Sequence, residues 1–340
     1  MAHPTPLTGS EPLFIASKPE VIIPRTSPSG DGRGRFWAIV LAGGEGVRLR
    51  GLARQALGEE RPKQYLRLLG PRTLLRQTLD RIGIGVPVER TIVVTMKQHA
   101  RYITEEFSGG PQPHLLAQPC DRGTAPAILY PATRIAWRDP DATVAVFPSD
   151  HFITGEAAFM AYVAEVGSWI DSHPDRLVLL GARATSPETE YGWIEPAEPL
   201  GHVTTGAVHS VRQFWEKPSL ARARLCLRAG HLWNTSVIVG KVDTLLKVAA
   251  RGVPEISARL AHLARFADTE DEPWAVRQAY ELLPKTNFSH SILEACPEAL
   301  AVARLPRLVW SDLGSPHRVI DVLSKMPNRP AWADRLILPA

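Results

Sequence analysis

The sequence predicts an α/β protein: a Rossmann-like, mainly parallel sheet with helices on both faces and a small antiparallel annex. Three observations lead there. Continuous apolar runs ending in glycine or polar residues have the texture of strands buried on both faces. Segments of helical spacing separate those runs, and such alternation makes a parallel sheet. After Tyr191 the rhythm shifts to shorter strands and turns, which form the annex.

Residues 1–34 are dominated by Pro, Ser, Gly and Thr and end in TSPSGDGRGR, a flexible-linker composition, so a disordered leader is expected. Its short apolar patch, residues 13–16, is able to dock onto the domain that follows. FWAIVLA, starting at Phe36, is the first buried strand and runs into glycines. TLLRQTLDRI (73–82) has helical spacing, TIVVT (91–95) reads as a strand, and a helical stretch covers about 98–107. TAPAILYPATRIAW is helix-like, TVAVFPSD is a buried strand with a polar exit, and LVLLGA (177–182) is another strand. GWIEP, HVTTGAVHSVRQFWEKP and WNTSVIVG supply the annex strands, and residues 241–283 read as largely helical.

Composition narrows the function classes. The 340 residues allow one large α/β domain or two smaller ones, and 44% apolar content supports a substantial core. A net charge of +4, from 39 basic and 35 acidic residues, suits small anionic ligands and lacks the clustered basic footprint of a nucleic-acid binder. Cys120, Cys226 and Cys296 are far apart, with no CxxC pair and no zinc-ligand spacing. No secretory signal pattern and no apolar run of about 20 residues occur. A soluble, cytoplasmic protein with no membrane association is therefore expected.

The first strand exits into LAGGEGVRLRG. Gly43, Gly44 and Gly46 remove the side chains that would hold a phosphate away from backbone N–H groups. Arg48 can add a charge-assisted fork, and Lys63, from RPKQYL, a mobile point charge. No Gly-Lys-Ser/Thr closes the loop, and Leu49 stands where a dinucleotide fingerprint needs glycine. In FPSDHFI, Asp150 follows a buried strand, where ligands collect in open α/β sheets; it reads as a Mg2+ ligand or as a turn or cap residue. His151 beside it reads as a packing or hydrogen-bonding residue.

The strand, the glycine loop and PKQYL together resemble mannose-1-phosphate guanylyltransferases of the sugar-phosphate nucleotidyltransferase superfamily. DRGTAPAI, FPSDHFI, YGWIEP, FWEKPS, WNTS and WSDLGS then follow in that family's order, across residues 37–315. The resemblance implies residues 35–340 as one catalytic domain, with a nucleotide-binding half (35–185) and a sugar-phosphate half (186–340) that carries the antiparallel sugar-binding annex. It implies Asp150 and Asp312 as Mg2+ ligands, although an Asp before Leu-Gly also reads as a plain turn. Arg122 and Thr124 are implied at the nucleotide's base and ribose, with Arg122 equally readable as a surface charge. Gly192, Glu195, Glu216 and Asn234 are implied at the sugar, and Lys217 at its phosphate. Trp193, Trp215 and Trp233 can stack on a sugar, but core packing suits each better.

The implied reaction is in-line transfer from GTP to mannose 1-phosphate, giving GDP-mannose and pyrophosphate, with Arg48, Lys63 and Lys217 handling the phosphates. Departures from the family pattern leave alternatives. Val47 stands where threonine is usual, and the span from Arg48 to Lys63 is longer than common. Ser289, in NFSHS, stands in an acidic residue's place, and HRV follows WSDLGSP in place of the usual tryptophan. The β-helical and isomerase extensions of longer relatives are not found, which gives a divergent short form. A uridylyl- or thymidylyltransferase, and a non-catalytic nucleotide-sugar sensor, are the other readings; a homo-oligomer is open.

Overall fold

Alternate residues of the first strand face opposite ways, and both sides are apolar. In β1 (Phe36–Leu41), Trp37 and Ile39 enter one core cluster while Ala38 and Val40 enter another. This period of two, apolar on both faces, is what a sheet sandwiched between helices requires. The computed structural model describes residues 35–58, 60–109 and 111–337. The expected leader, residues 1–34, lies outside them.

From β1 the chain runs through α1 (Arg50–Leu57), α2 (Leu74–Ile82), β2 (Thr91–Met96), α3 (Ala100–Glu106), β3 (His114–Gln118) and α4 (Thr124–Arg138). It continues with β4 (Thr143–Pro148), β5 (Phe152–Ile153), α5 (Glu156–Ser172), β6 (Leu177–Arg183), β7 (Gly192–Val203), β8 (Gly206–Glu216) and α6 (Leu220–Arg228). Then come β9 (Leu232–Lys241), α7 (Val242–Gly252), α8 (Pro254–Leu263), α9 (Glu272–Leu282), β10 (Leu300–Arg304), β11 (Trp310–Ser311), α10 (Pro316–Ser324) and α11 (Ala331–Ile337).

Among the described residues, nine strands make one sheet in the order β3-β2-β1-β4-β9-β6-β10-β8-β7, and β11 pairs with β5 in a separate ribbon. The β3-β2-β1-β4 block is parallel throughout. Strand β9 runs antiparallel between β4 and β6, so β6 and its parallel neighbour β10 point the same way as β4. The carboxyl ends of β1, β4, β6 and β10 therefore share one edge, where ligands collect in open α/β sheets. Of the three strands expected in the annex, β7 and β8 are antiparallel and continue the main sheet, and the third, β9, lies inside that sheet between β4 and β6.

The strands and helices expected between residues 36 and 283 are all present. Helix α5 carries no mark in the sequence reading, because exposed Ala157, Ala158, Ala161 and Ala164 put apolar residues opposite its eight buried ones and blur the helical period. A third apolar cluster, built around Leu49, Leu66, Leu313 and Leu323, holds α1 and α10 together. It brings the chain after Asp312 up against the chain after the glycine loop. No helix among the described residues is long and apolar enough to cross a membrane.

Candidate active site

The glycine loop keeps its shape through contacts that its own sequence does not advertise. Gly46 has φ +60, and a Cβ there would lie 2.6 Å from the Lys63 backbone nitrogen. The loop and the Lys63 segment are thus packed backbone to backbone, which only glycine permits. Buried Gln64 donates from Nε2 to the carbonyls of Ala42 (2.8 Å) and Gly44 (2.9 Å). Glu45 accepts from His99 Nε2 (3.1 Å) and Arg50 Nη2 (3.1 Å), and Ser149 Oγ donates to the Leu41 carbonyl (2.7 Å). These bonds hold the ends of β1 and β4 and the loop between them as one rigid unit.

Beside this loop lies a cavity of about 320 Å³ lined by Gly46, Arg48, Lys63, Asp150, Asp312 and Gly314, among others. Two aspartates 162 positions apart in the chain meet there. Buried Lys63 places Nζ 3.0 Å from Asp150 Oδ2 and also donates to the Asp312 carbonyl oxygen. Arg48 pairs with Glu190 at 2.5 Å, both about half exposed, a bond weak enough to yield to a phosphate.

Asp312 is the most heavily bonded of the acidic groups. Its Oδ1 accepts from Tyr191 Oη (2.8 Å), the Gly314 N–H (2.9 Å) and Arg318 Nη1 (3.1 Å), and its Oδ2 accepts from Arg318 Nη1 (3.1 Å). Burial would raise this carboxyl, but His151, Arg318, Lys63 and the Tyr191 hydrogen bond hold it below the usual carboxylate range. Burial drives His151 down to about 4, so it is neutral at pH 7 and the charge on Asp312 is balanced by Arg318 and Lys63. His151 Nδ1 accepts from Trp310 Nε1 (3.3 Å). Among the described residues, no group of three or more His, Cys, Asp or Glu side chains gathers to hold a metal.

A second cavity, about 240 Å³, adjoins the first and shares His151 and Asp312 with it. Thr124, Gly192, Glu216, Lys217 and Asn234 all line it, as does Ser289. A Cβ at Gly192 would stand 2.7 Å from Phe214 Cζ and 3.1 Å from Glu216 Oε2, so a larger residue would fill the pocket. Lys217 has φ +48, an unfavourable left-handed conformation for a lysine, and its backbone N–H donates to the Tyr191 carbonyl (3.2 Å). Burial raises the Glu216 carboxyl, and its own N–H donates to Glu294 Oε1 (2.6 Å). A wider groove of about 1300 Å³ lies beyond Tyr191 and Trp310, but it contains neither the glycine loop nor the two aspartates.

Two expected site residues are placed elsewhere. Glu195 lies on the opposite face of β7 from the cavity, since Gly192 and Ile194 share one face and Trp193 and Glu195 the other. Its carboxylate pairs with Arg212 at 3.4 Å. Arg122 donates from Nε to the Tyr280 carbonyl (2.7 Å) and from Nη2 to the Glu281 carbonyl (3.0 Å), capping the last turn of α9. Arg122→Ala is expected to cost about 1–2 kcal/mol in chemical denaturation, with nucleotide affinity unchanged. Glu195→Ala should leave steady-state kinetics within about twofold of wild type. A larger kinetic loss in either variant would return that residue to the site.

Trp193 is fully buried and donates to the Glu188 carbonyl (2.8 Å), Trp233 is buried, and Trp215 stacks on His231; none of them lines the two cavities. Trp310 lines the second cavity instead. Tyr191 lines the second cavity, Gln64 braces the glycine loop, and Arg318, on the wider groove, bonds Asp312; the sequence reading did not pick out these three. Gln64 and Tyr191 sit inside quoted motifs, next to Lys63 and Gly192; Arg318 falls in the segment noted only as a departure.

Comparison with known proteins follows the same lines. The family described as Nucleotidyl transferase matches residues 37–329. The xanthan biosynthesis protein XanB of Xanthomonas campestris pv. campestris is 32% identical over 84% of this chain and 58% of its own length. Mannose-1-phosphate guanylyltransferase 2 of Escherichia coli O157:H7 is 29% identical over 85% of this chain and 60% of its own. The chain thus spans about three-fifths of the length of these curated relatives. A Thermus thermophilus structure described as mannose-1-phosphate geranyltransferase superposes with TM-score 0.72 and 30% identity, covering 86% of this chain and 80% of the other.

Proposed function

Because this chain belongs to the nucleotidyl transferase family, we propose that it condenses mannose 1-phosphate with GTP, giving GDP-mannose and pyrophosphate. The observation that carries the reading is the meeting of Asp150, Asp312 and Lys63 beside the glycine loop, with a second cavity sharing Asp312. The choice of sugar and base follows the names of the relatives.

In this reading residues 35–185 hold the nucleotide and 186–340 the sugar phosphate, with Asp312 reaching across to the first half. The N–H groups of the glycine loop and Arg48 hold the triphosphate. Lys63 and Lys217 hold the transferred and attacking phosphates. A phosphate monoester is already an anion, so attack on the α-phosphorus needs no general base; positioning and charge stabilisation do the work. The N-terminus of α4, at Thr124, opens on the second cavity and adds a favourable dipole for an anion. Gly192, Glu216 and Asn234 bind the sugar hydroxyls, and Arg122 and Glu195 take no part.

Two hard carboxylates on one phosphate-binding cavity suit Mg2+, which takes one or two carboxylates and completes its shell with phosphates and water. Asp150 and Asp312 would hold it. When bound, it would neutralise charge on the α-phosphate. Three free cysteines fit a reduced, cytoplasmic setting.

The test is a pyrophosphate-release screen of four NTPs against several hexose 1-phosphates. GTP with mannose 1-phosphate should give the highest kcat/KM. Preference for UTP or dTTP would reassign the substrates, and nucleotide binding with no pyrophosphate release would make the protein a sensor.

A further inference from the structure

Each of the two aspartates already has a cation of the chain on it. Lys63 Nζ stands 3.0 Å from Asp150 Oδ2, and Arg318 Nη1 stands 3.1 Å from both oxygens of Asp312. Arg318 is itself fixed on three sides. Its Nη2 donates to Glu188 Oε2 at 2.5 Å, its guanidinium lies 4.3 Å from the Tyr191 ring centroid, and its backbone N–H bonds the Ser315 cap of α10 at 3.4 Å. Its side chain is 14% exposed, so water screens little of its charge. A Cβ on Gly314 would collide with Asp312 Oδ2 and press on Arg318 Nη1, so glycine keeps this pair together.

The lone pairs of Asp312 can be counted. Among the described residues, Oδ1 accepts from Tyr191, Gly314 and Arg318, while Oδ2 accepts from Arg318 alone. Oδ2 is therefore the oxygen with capacity to spare, and a guanidinium stands against it. A free dication approaching this cavity meets two carboxylates that each already face a cation, Lys63 on Asp150 and Arg318 on Asp312, with Glu188 holding the far side of Arg318. A dication carrying a triphosphate is part of an anionic complex, which Lys63 and Arg48 on the cavity wall attract.

We propose that Arg318, with Lys63, keeps the aspartate pair from loading a free divalent ion, so that metal enters the site only as its complex with the nucleotide. Arg318 is a positioning residue for Asp312 and sets this order of binding. The inference rests on the nucleotidyl-transfer reading above, and it adds an assignment for a side chain in the segment where the chain departs from its family's pattern.

The probe is Mn2+, titrated against the full chain, with protein-bound metal measured by ultrafiltration, because GTP alone chelates Mn2+ and hides the free ion. Without nucleotide, wild type should show no saturable binding in the micromolar range, and added GTP should produce it. Arg318→Met should bind Mn2+ alone about tenfold more tightly or better, because a repelling charge near the ligand oxygen is gone. Arg318→Lys, which keeps the charge, should behave as wild type, and thermal melts show that each variant folds. Because Arg318→Met also frees Glu188, the double variant Arg318→Met, Glu188→Gln should keep the gain, and loss of the gain there would overturn the proposal. Micromolar Mn2+ binding by wild type without nucleotide would overturn the proposal and leave the functional reading intact. So would an unchanged affinity in a folded Arg318→Met. Failure of wild type to retain Mn2+ with GTP present would sink the functional reading, and this inference with it.

Discussion

Lys63→Met is expected to lower the rate of pyrophosphate release by about two to three orders of magnitude, the loss typical of removing one preorganised charge-stabilising group. The ammonium is buried at the meeting point of the glycine loop, Asp150 and Asp312. Methionine keeps the length and apolar stem of the side chain, so the packing around Gly46 survives. The fold should survive as well. Asp150 is 30% exposed and can be solvated once its partner is gone, so the change in melting temperature should be small. Steady-state kinetics together with a thermal melt separate these effects. An unchanged rate would remove Lys63 from the mechanism.

Gly46→Ala should damage both stability and activity. The left-handed backbone at φ +60 costs an L residue about 1–2 kcal/mol. The added methyl would lie 2.6 Å from the Lys63 nitrogen and 2.7 Å from its Cβ, and backbone does not swing aside as a side-chain tip does. Either the loop or the Lys63 segment must move, and both hold phosphate in the proposed reaction. A displacement of about 1 Å near a reacting group can cost roughly a hundredfold, so kcat/KM should fall by about that factor or more. Gly44→Ala is the control, since nothing lies within 4 Å of its would-be Cβ and the melting temperature should stay near wild type. Equal melting temperatures for the two variants would show that the close approach at Gly46 carries no strain.

Most of the sheet was legible because its strands are buried on both faces, and such runs look the same in sequence whatever packs on them. Val144, Val146, Leu177 and Leu179 face one core cluster, and Ala145, Phe147, Val178 and Leu180 face the other. The short strands β3 and β10 and the helix α5 were not legible, for want of either period or length. Of the candidate residues that motifs of adjacent residues single out, Gly46, Asp150 and Lys63 line the first cavity. Glu195, whose carboxylate strand parity turns away, and Arg122, whose guanidinium goes to helix-end carbonyls, line neither cavity.

Local order along the chain determined the strands, the glycine turn and the family, since each depends on residues that are near neighbours or follow in sequence. The partners of Asp312 depended on folding. Arg318, Glu188, Tyr191 and Lys63 are brought together around it from separate stretches of chain, held by the packing of α10 on the chain around Leu49 and Leu66. Electrostatic coupling falls with distance in space and takes no account of distance along the chain. Only the assembled core could decide which cation stands against which carboxylate.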